Sequence, residues 1–472
     1  MPSHLNRYEQ LIAHDSQLPL QFRSQLAGAT KLTRLHSKET SSDKQIIWDT
    51  TANVIAPILF GFVYWCLVSA KKRGIERLYF VARDGQILHK IAQVICQNWG
   101  YDIDCRYLYG SRQAWHAPSL MEIGEAELGW ILDSTTFLSV HSVCERVNLT
   151  PQQIEDVLIR FEFPPSKWNL NLSRQERSQL EQAFRDPQVI ELILSTSAVY
   201  REKAIGYFRQ EKLGDGLPFA IVDIGWLGRA QRSFSQLLKS AGLYPESGVH
   251  GFYFALEKQA KALGSDHLLA FYNVEKPDRH HISKYRHLFE LLVAADHGGT
   301  MRYEQSDNQY VPILRYQKNE KAINWGLYVL QNAGVEFAQQ LTTNLSDSNC
   351  ATDQFLRASD LLIESFVYDP SPIEAKVFGS FLIADDQGEK VLYELAPAYN
   401  FVNCLKLLSF GSQPFKGVWF PASLARSHPL FRIVLNPNIL NATHNLRVIV
   451  GRLKRSIRAK TETEPASRLV DT

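Results

Sequence analysis

The sequence predicts an α/β protein with a mostly parallel central sheet, a helical insertion and a mainly helical C-terminal region. Three observations carry this. LYFVA (residues 78–82), DCRYLYG (104–110) and PFAIVD (218–223) read as short apolar strands,. Each passes through a charged or glycine-bearing turn into a helical pattern, which is the grammar of βαβ units with parallel strands. VHGFYFAL (249–256) supplies a further buried strand.

Taken in order, residues 1–48 are polar with little periodicity and read as an N-terminal extension. Residues 49–120 form the first part of the α/β domain and open on a 21-residue uncharged run, TTANVIAPILFGFVYWCLVSA, followed by KKRGIER. That length with a basic flank matches a short membrane span. Asn53, Pro57 and Gly61 interrupt the run and a strand follows closely, so a buried helix is expected. Residues 121–206 carry helical periodicity without a strand, including SVHSVCERVNLTPQQIEDVLIRF. This resembles a helix-turn-helix, but its second helix offers Arg160 beside Glu155 and Asp156, so a packing pair is expected rather than a DNA reader.

Residues 207–300 return to strand and helix, with a strand at 219–222, a loop, and a helix from Arg229. Residues 301–440 are expected to be mainly helical, with core faces at Ile323, Leu327, Leu330 and at Phe355, Ala358, Leu362, Phe366, and a hairpin turning at Asp386-Gln387-Gly388. The basic tail, 441–472, offers peripheral membrane contact through residues 446–460.

The composition is that of an ordinary globular protein: 472 residues, 45% hydrophobic, 21% charged and a net charge of +2. So small a charge gives no global field to attract nucleic acid, and none is expected as a partner. Six scattered cysteines without a CxxC pair exclude a zinc knuckle or disulfide framework,. They fit a reducing cytoplasm, the expected location, and no secretory signal is read at the N-terminus. His280, His281, His287, Asp296 and His297 cluster in sequence without metal-ligand spacing, so no metal site is expected. GxSxG, GxxxxGK[ST] and GxGxxG are all absent, leaving the serine hydrolase, P-loop and dinucleotide readings without their residues.

The chemistry concentrates in three turns. Arg83-Asp84-Gly85 lies where a buried strand hands over to a helix, and ligands in open α/β sheets bind at such strand ends. Gly85 permits positive φ or close approach of a phosphate, and Arg83 can grip a phosphate oxygen. The alternative is that Asp84 caps the helix and Arg83 pairs with it. In Asp223-Ile224-Gly225-Trp226-Leu227-Gly228-Arg229, Gly225 and Gly228 are spaced to cradle a phosphate, with Asp223 for ribose hydroxyls or a magnesium-bound water. Ser111 and Arg112 end another strand. These strand ends present Arg83, Asp84, Ser111, Arg112, Asp223 and Arg229 to a common rim suited to a doubly anionic, phosphorylated small molecule. Glu290 is the candidate second carboxylate for proton transfer, alongside Asp84 and Asp223.

APILFGFVYWCL, LYFVARDGQIL, YLYGSRQAW, IVDIGWLGRAQ and the FELLVA region resemble a block in bacterial proteins identified as predicted HAD-superfamily hydrolases, many encoded among surface-polysaccharide genes. The likeness spans roughly residues 50–300. In longer members a HAD phosphatase-like half precedes this block. The HAD nucleophile motif, DxDx[TV], uses its first aspartate to attack phosphate and its second as acid/base. Here Asp49-Thr50-Thr51 and Asp84-Gly85-Gln86 both lack the second aspartate.

More distantly, the order of LYFVARDG, YLYGSR and IVDIGWLGRAQ is similar to type I phosphoribosyltransferases. That resemblance implies their fold, with Arg83, Asp84 and Gly85 at pyrophosphate, Asp223 at ribose and residues 225–230 at the 5-phosphate. Ile224 stands in place of the second acid, and Trp226 and Leu227 in place of Thr-type donors. The function expected is phosphoribosyltransferase-like, on a phosphorylated sugar or nucleotide in surface-polysaccharide assembly, with Mg²⁺ as the one cofactor such chemistry calls for. The alternatives are a HAD-type phosphatase and a non-catalytic partner of a glycosyltransferase or membrane complex.

Overall fold

The computed structural model describes residues 5–133, 137–273, 282–384, 392–402 and 418–434. Residues 5–50 form α1 (Arg7–His14), α2 (Leu20–Leu35) and α3 (Ser42–Thr50). The expected polar extension is therefore helical. Tyr8, Ile12, Phe22 and Leu26 enter the main core, because a few large apolar residues on one face suffice to dock a helix whose other faces are polar,.

α3 continues through a π-helical segment, Thr51–Ile55, into α4 (Ala56–Lys72). This continuous Ser42–Lys72 helix is long and apolar enough to cross a membrane, yet 89% of its apolar window is buried within the protein. The expectation of a buried helix holds. Gly61 lets it approach a neighbouring helix so closely that an added Cβ would lie 2.9 Å from the Phe355 Cβ.

The α/β domain then opens with β1 (Arg77–Val81), α5 (Gly85–Trp99), β2 (Asp104–Leu108) and α6 (Arg112–Ser119). The insertion follows as α7 (Glu125–Ile131), α8 (Val140–Arg146), α9 (Glu155–Arg160) and α10 (Arg174–Phe184). It has a core of its own, built from residues such as Leu138, Val143, Leu158, Phe163, Phe184 and Ile193. The helix-turn-helix look-alike spends its apolar residues there, as expected of a packing pair. α11 (Pro187–Gln210) crosses the boundary expected at residue 206. Val189 and Ile193 belong to the insertion core, whereas Ala204, Tyr207 and Phe208 pack against the sheet.

The sheet resumes with β3 (Phe219–Trp226), α12 (Arg229–Ser240), β4 (His250–Leu256), β5 (His267–Asn273) and α13 (Arg286–Leu292). All five strands are parallel, in the order β2-β1-β3-β4-β5. β1 alternates in the manner of a strand covered on both faces: Leu78 and Phe80 join the core under α4 and α5, while Tyr79 and Val81 join that under α6, α11 and α12,. The chain leaves β1 toward β2 on one side and β3 toward β4 on the other. The switch in direction lies between β1 and β3, where open α/β sheets leave a crevice at their carboxyl ends.

An antiparallel hairpin, β6 (Thr300–Ser306) and β7 (Gln309–Leu314), precedes α14 (Glu320–Trp325), α15 (Leu327–Asn344), α16 (Thr352–Ile363) and α17 (Pro372–Gly379). This hairpin departs from the helical expectation at residue 301. Leu327, Leu330, Phe355, Ala358, Leu362 and Phe366 are buried in the same core as α4. β8 (Leu382–Ala384) and β9 (Leu392–Glu394) are the arms of the expected hairpin. Its turn at 386–388, the tail segment 446–460, His280 and His281 lie outside the described residues.

Candidate functional site

Two strands of unequal reach build the site. β1 stops at Val81, and its last partner across the sheet pairs Phe80 with Val222. β3 does not stop there, as the sequence led one to expect; it runs on to Trp226 beside β4, pairing Asp223 with Tyr253 and Gly225 with Ala255. Asp223 is thus the first β3 residue beyond the β1 register, and it stands beside the turn holding Arg83 and Asp84. The two acids of similar sequence context meet across the crevice.

The turn after β1 differs from its expected form. Gly85 does not take a left-handed backbone. It is the first residue of α5, where an added Cβ would lie 2.5 Å from the Phe80 carbonyl carbon, so glycine lets the helix start tight against the strand,. Asp84 occupies the N-cap position without making the capping hydrogen bond. The capping explanation therefore fails, and its carboxylate is left facing the crevice. The peptide bond between Ala82 and Arg83 is cis.

The second turn is also tighter than a phosphate-wrapping loop. Gly225 lies within β3 at φ 111°, and a Cβ there would sit 2.1 Å from the Ala255 carbonyl oxygen. Only Leu227 and Gly228 separate β3 from α12. Gly228, at φ 64°, turns the chain into the helix. Neither glycine belongs to an extended cradle.

Electrostatics tie the acids together. Burial, then the neighbouring charges of Asp223 and Glu290, push the Asp84 carboxyl far above its ordinary range, against the opposing pull of Arg83 and Arg112,. Asp223 is pushed up to about 6, chiefly by burial, although its carboxylate accepts hydrogen bonds from the Ile224 and Gly225 amides and feels Arg112. Two carboxyls so placed titrate as a unit that keeps a proton near neutral pH.

Glu290 on α13 goes the other way. Burial raises it, but the hydrogen bond with His287 Nδ1 at 3.0 Å and the charges of His287, Arg112 and Arg286 hold it below its usual range. The three sequence-predicted carboxylates are therefore brought together. Glu290 is held as an anion beside Asp84, whose carboxyl keeps its proton near neutral pH.

Arg112, the first residue of α6, acts on all three carboxylates. Its guanidinium makes no hydrogen bond among the described residues, an arrangement that leaves it available to an anion. Ser111 is otherwise engaged. Its hydroxyl accepts from the Ala114 amide and donates to the Thr300 carbonyl, so it fixes the start of α6,. Arg229 is exposed and pairs with Asp133 of the insertion at 3.4 Å. Together with Arg112 it pushes His116 down to about 3, after the larger effect of burial. That neutral imidazole meets the Ser233 hydroxyl at 2.7 Å.

Sequence reasoning missed a second flank of the site. Tyr107, on β2, donates to His297 Nε2 at 2.8 Å, because His297 Nδ1 is spent on the Gly298 carbonyl at 2.7 Å,. Asp296 is clamped by Gln86, whose amide nitrogen reaches its Oδ1 at 2.7 Å and whose amide oxygen accepts from its backbone N–H at 3.2 Å. Gln331 and Lys90 extend this network. The alternation in YLYGSR and the acid-histidine pair in ADHGG were the available signals. They became meaningful only once β2 and the α13–β6 connection were side by side.

No group of three or more His, Cys, Asp or Glu side chains is placed to hold a metal ion among the described residues. Compared with protein-family models and with curated proteins, the chain matches none.

Proposed function

We propose that the protein is an enzyme of phosphoryl transfer or hydrolysis acting on a phosphorylated small molecule in the β1/β3 crevice. The observation that carries this reading is the meeting of the buried carboxyls of Asp84 and Asp223 at the switch point, Asp223 being the first β3 residue beyond the β1 register, with Arg83 and Arg112 beside them. What DxD supplies from one strand end, this chain would supply from two neighbouring ones.

In this reading Asp223 attacks phosphorus, because it is the more acidic carboxyl of the pair and the ionised one near neutral pH,. The P–O bond to the leaving group breaks as Asp84, whose carboxyl is pushed up further, donates its proton to the departing oxygen,. Water then attacks the acyl phosphate, the Asp84 carboxylate takes its proton, and phosphate and the Asp223 carboxylate are released. Arg112 favours the ionised Asp223 that attack requires, and Arg83 and Arg112 balance the phosphate charge,.

Mg²⁺ fits this donor set. One ionised carboxylate beside a substrate phosphate is within what it uses, so Asp223 would hold it together with the phosphate and it would neutralise charge on the phosphate oxygens,. Phosphoribosyl transfer has less support. Only Leu227 and Gly228 remain to wrap a 5-phosphate.

The test is a thermal-shift screen against inorganic phosphate, sugar phosphates, nucleotides and phosphoribosyl pyrophosphate, with Mg²⁺. Stabilisation by phosphate and phosphomonoesters, lost in Arg112→Ala, is expected. No shift with any phosphorylated ligand would sink the proposal.

A further inference from the structure

The crevice has a second lobe that the phosphate chemistry does not use. At the end of β2, the Tyr107 and Tyr109 rings lie 5.2 Å apart, and the His297 ring is 5.9 Å from the first and 5.2 Å from the second. Tyr107 feels the charges of Asp84 and Arg83, and His297 that of Arg83, so this aromatic group adjoins the phosphate lobe. Asp296 acts on all three rings.

The lobe is preorganised. His297 is only 5% exposed and is held by Tyr107 and the Gly298 carbonyl. The clamp by Gln86 fixes the Asp296 carboxylate while leaving acceptor capacity on it. Tyr328 approaches Asp296 Oδ2 only at 3.4 Å and is 45% exposed. The Tyr109 hydroxyl makes no hydrogen bond among the described residues, and the residue is partly open to solvent. An aromatic face beside a fixed carboxylate and an open hydroxyl suits a ring that is apolar on its face and rich in hydroxyls on its rim.

We propose that this lobe seats the sugar ring of a sugar phosphate, stacked on Tyr109 and hydrogen-bonded through its hydroxyls to Asp296, with the phosphate directed at Asp84 and Arg112. This deepens the function proposed above and rests on it.

Calorimetric titration of the full chain with inorganic phosphate, glycerol phosphate and a panel of pentose and hexose phosphates provides the test. At least one sugar phosphate should bind tenfold or more tighter than inorganic phosphate. Tyr109→Leu, which keeps bulk but removes the aromatic face, should erase that advantage and leave the inorganic phosphate affinity within twofold. Tyr109→Phe should retain the stacking part of it. If phosphate binds but no sugar phosphate binds better, or if Tyr109→Leu weakens all ligands equally, the sugar lobe is overturned while the phosphate site stands. If inorganic phosphate binds with equal strength to wild type and Arg112→Ala, the underlying phosphate reading falls as well.

Discussion

The turns after β1 and β3 look alike in sequence, each an apolar strand running into an acid, a glycine and a helix, yet they are built on opposite plans. β1 ends early and its glycine lies flat against Phe80, so that α5 begins at once. β3 runs late and its glycine bends to a left-handed backbone to pass the Ala255 carbonyl. The mismatch in length, rather than either motif, brings Asp84 and Asp223 together. Two acids on strands of equal reach would each have faced its own helix.

The largest effect expected from breaking this arrangement is on turnover. Asp84→Asn and Asp223→Asn should each lower the rate on a phosphomonoester by about 10²–10⁴-fold. Their circular dichroism should match the wild type.

Next come the glycines. Gly225→Ala places a Cβ on a carbonyl oxygen and a side chain at positive φ, and should cost about 2–4 kcal/mol in urea unfolding. Gly85→Ala meets backbone without the left-handed strain and should cost about 1–3 kcal/mol. Equal costs at the two positions would erase the contrast between the turns.

A smaller effect, of opposite sign, is expected for Asp223→Asn on stability. A carboxyl whose folded pKa is raised binds its proton more tightly in the folded state. Its contribution is therefore fully present below the unfolded pKa near 4 and is lost as pH climbs through about 6,. Asp223→Asn should be about 1–2 kcal/mol more stable than wild type at pH 7, and the gain should vanish at pH 4. Urea unfolding at the two pH values measures it. The smallest change is in the pH–rate profile of Arg112→Ala, whose lower limb should move upward by about half a unit as Asp223 loses a stabilising cation. A downward move would contradict the assigned contact.

Much of this was legible in the sequence because the strands announce themselves by apolar runs and the acids fall at their ends. The α/β class, the buried helix around Pro57 and Gly61, the core faces at Leu327 and Phe355, and the convergence of Asp84, Arg112, Asp223 and Glu290 all follow from local pattern. The rest depended on distance in space. β5 went unread because HLLAFYN sits between charged segments, and β3 was cut short because glycine ordinarily ends a strand pattern. Ser111 was read as a ligand to phosphate, but a serine before a helix serves equally as its cap, and only Thr300 and Ala114 reveal which role it takes. Tyr107, Asp296 and Gln86 carry no motif and acquire meaning from contacts more than 180 residues away in sequence.

The most direct test of the central claim is the release of inorganic phosphate from a panel of phosphomonoesters, with Mg²⁺ at pH 6–7, by wild type, Asp84→Asn and Asp223→Asn. The account predicts turnover by the wild type, its loss in both variants, and retained phosphate binding in each. Turnover that survives either substitution would contradict it.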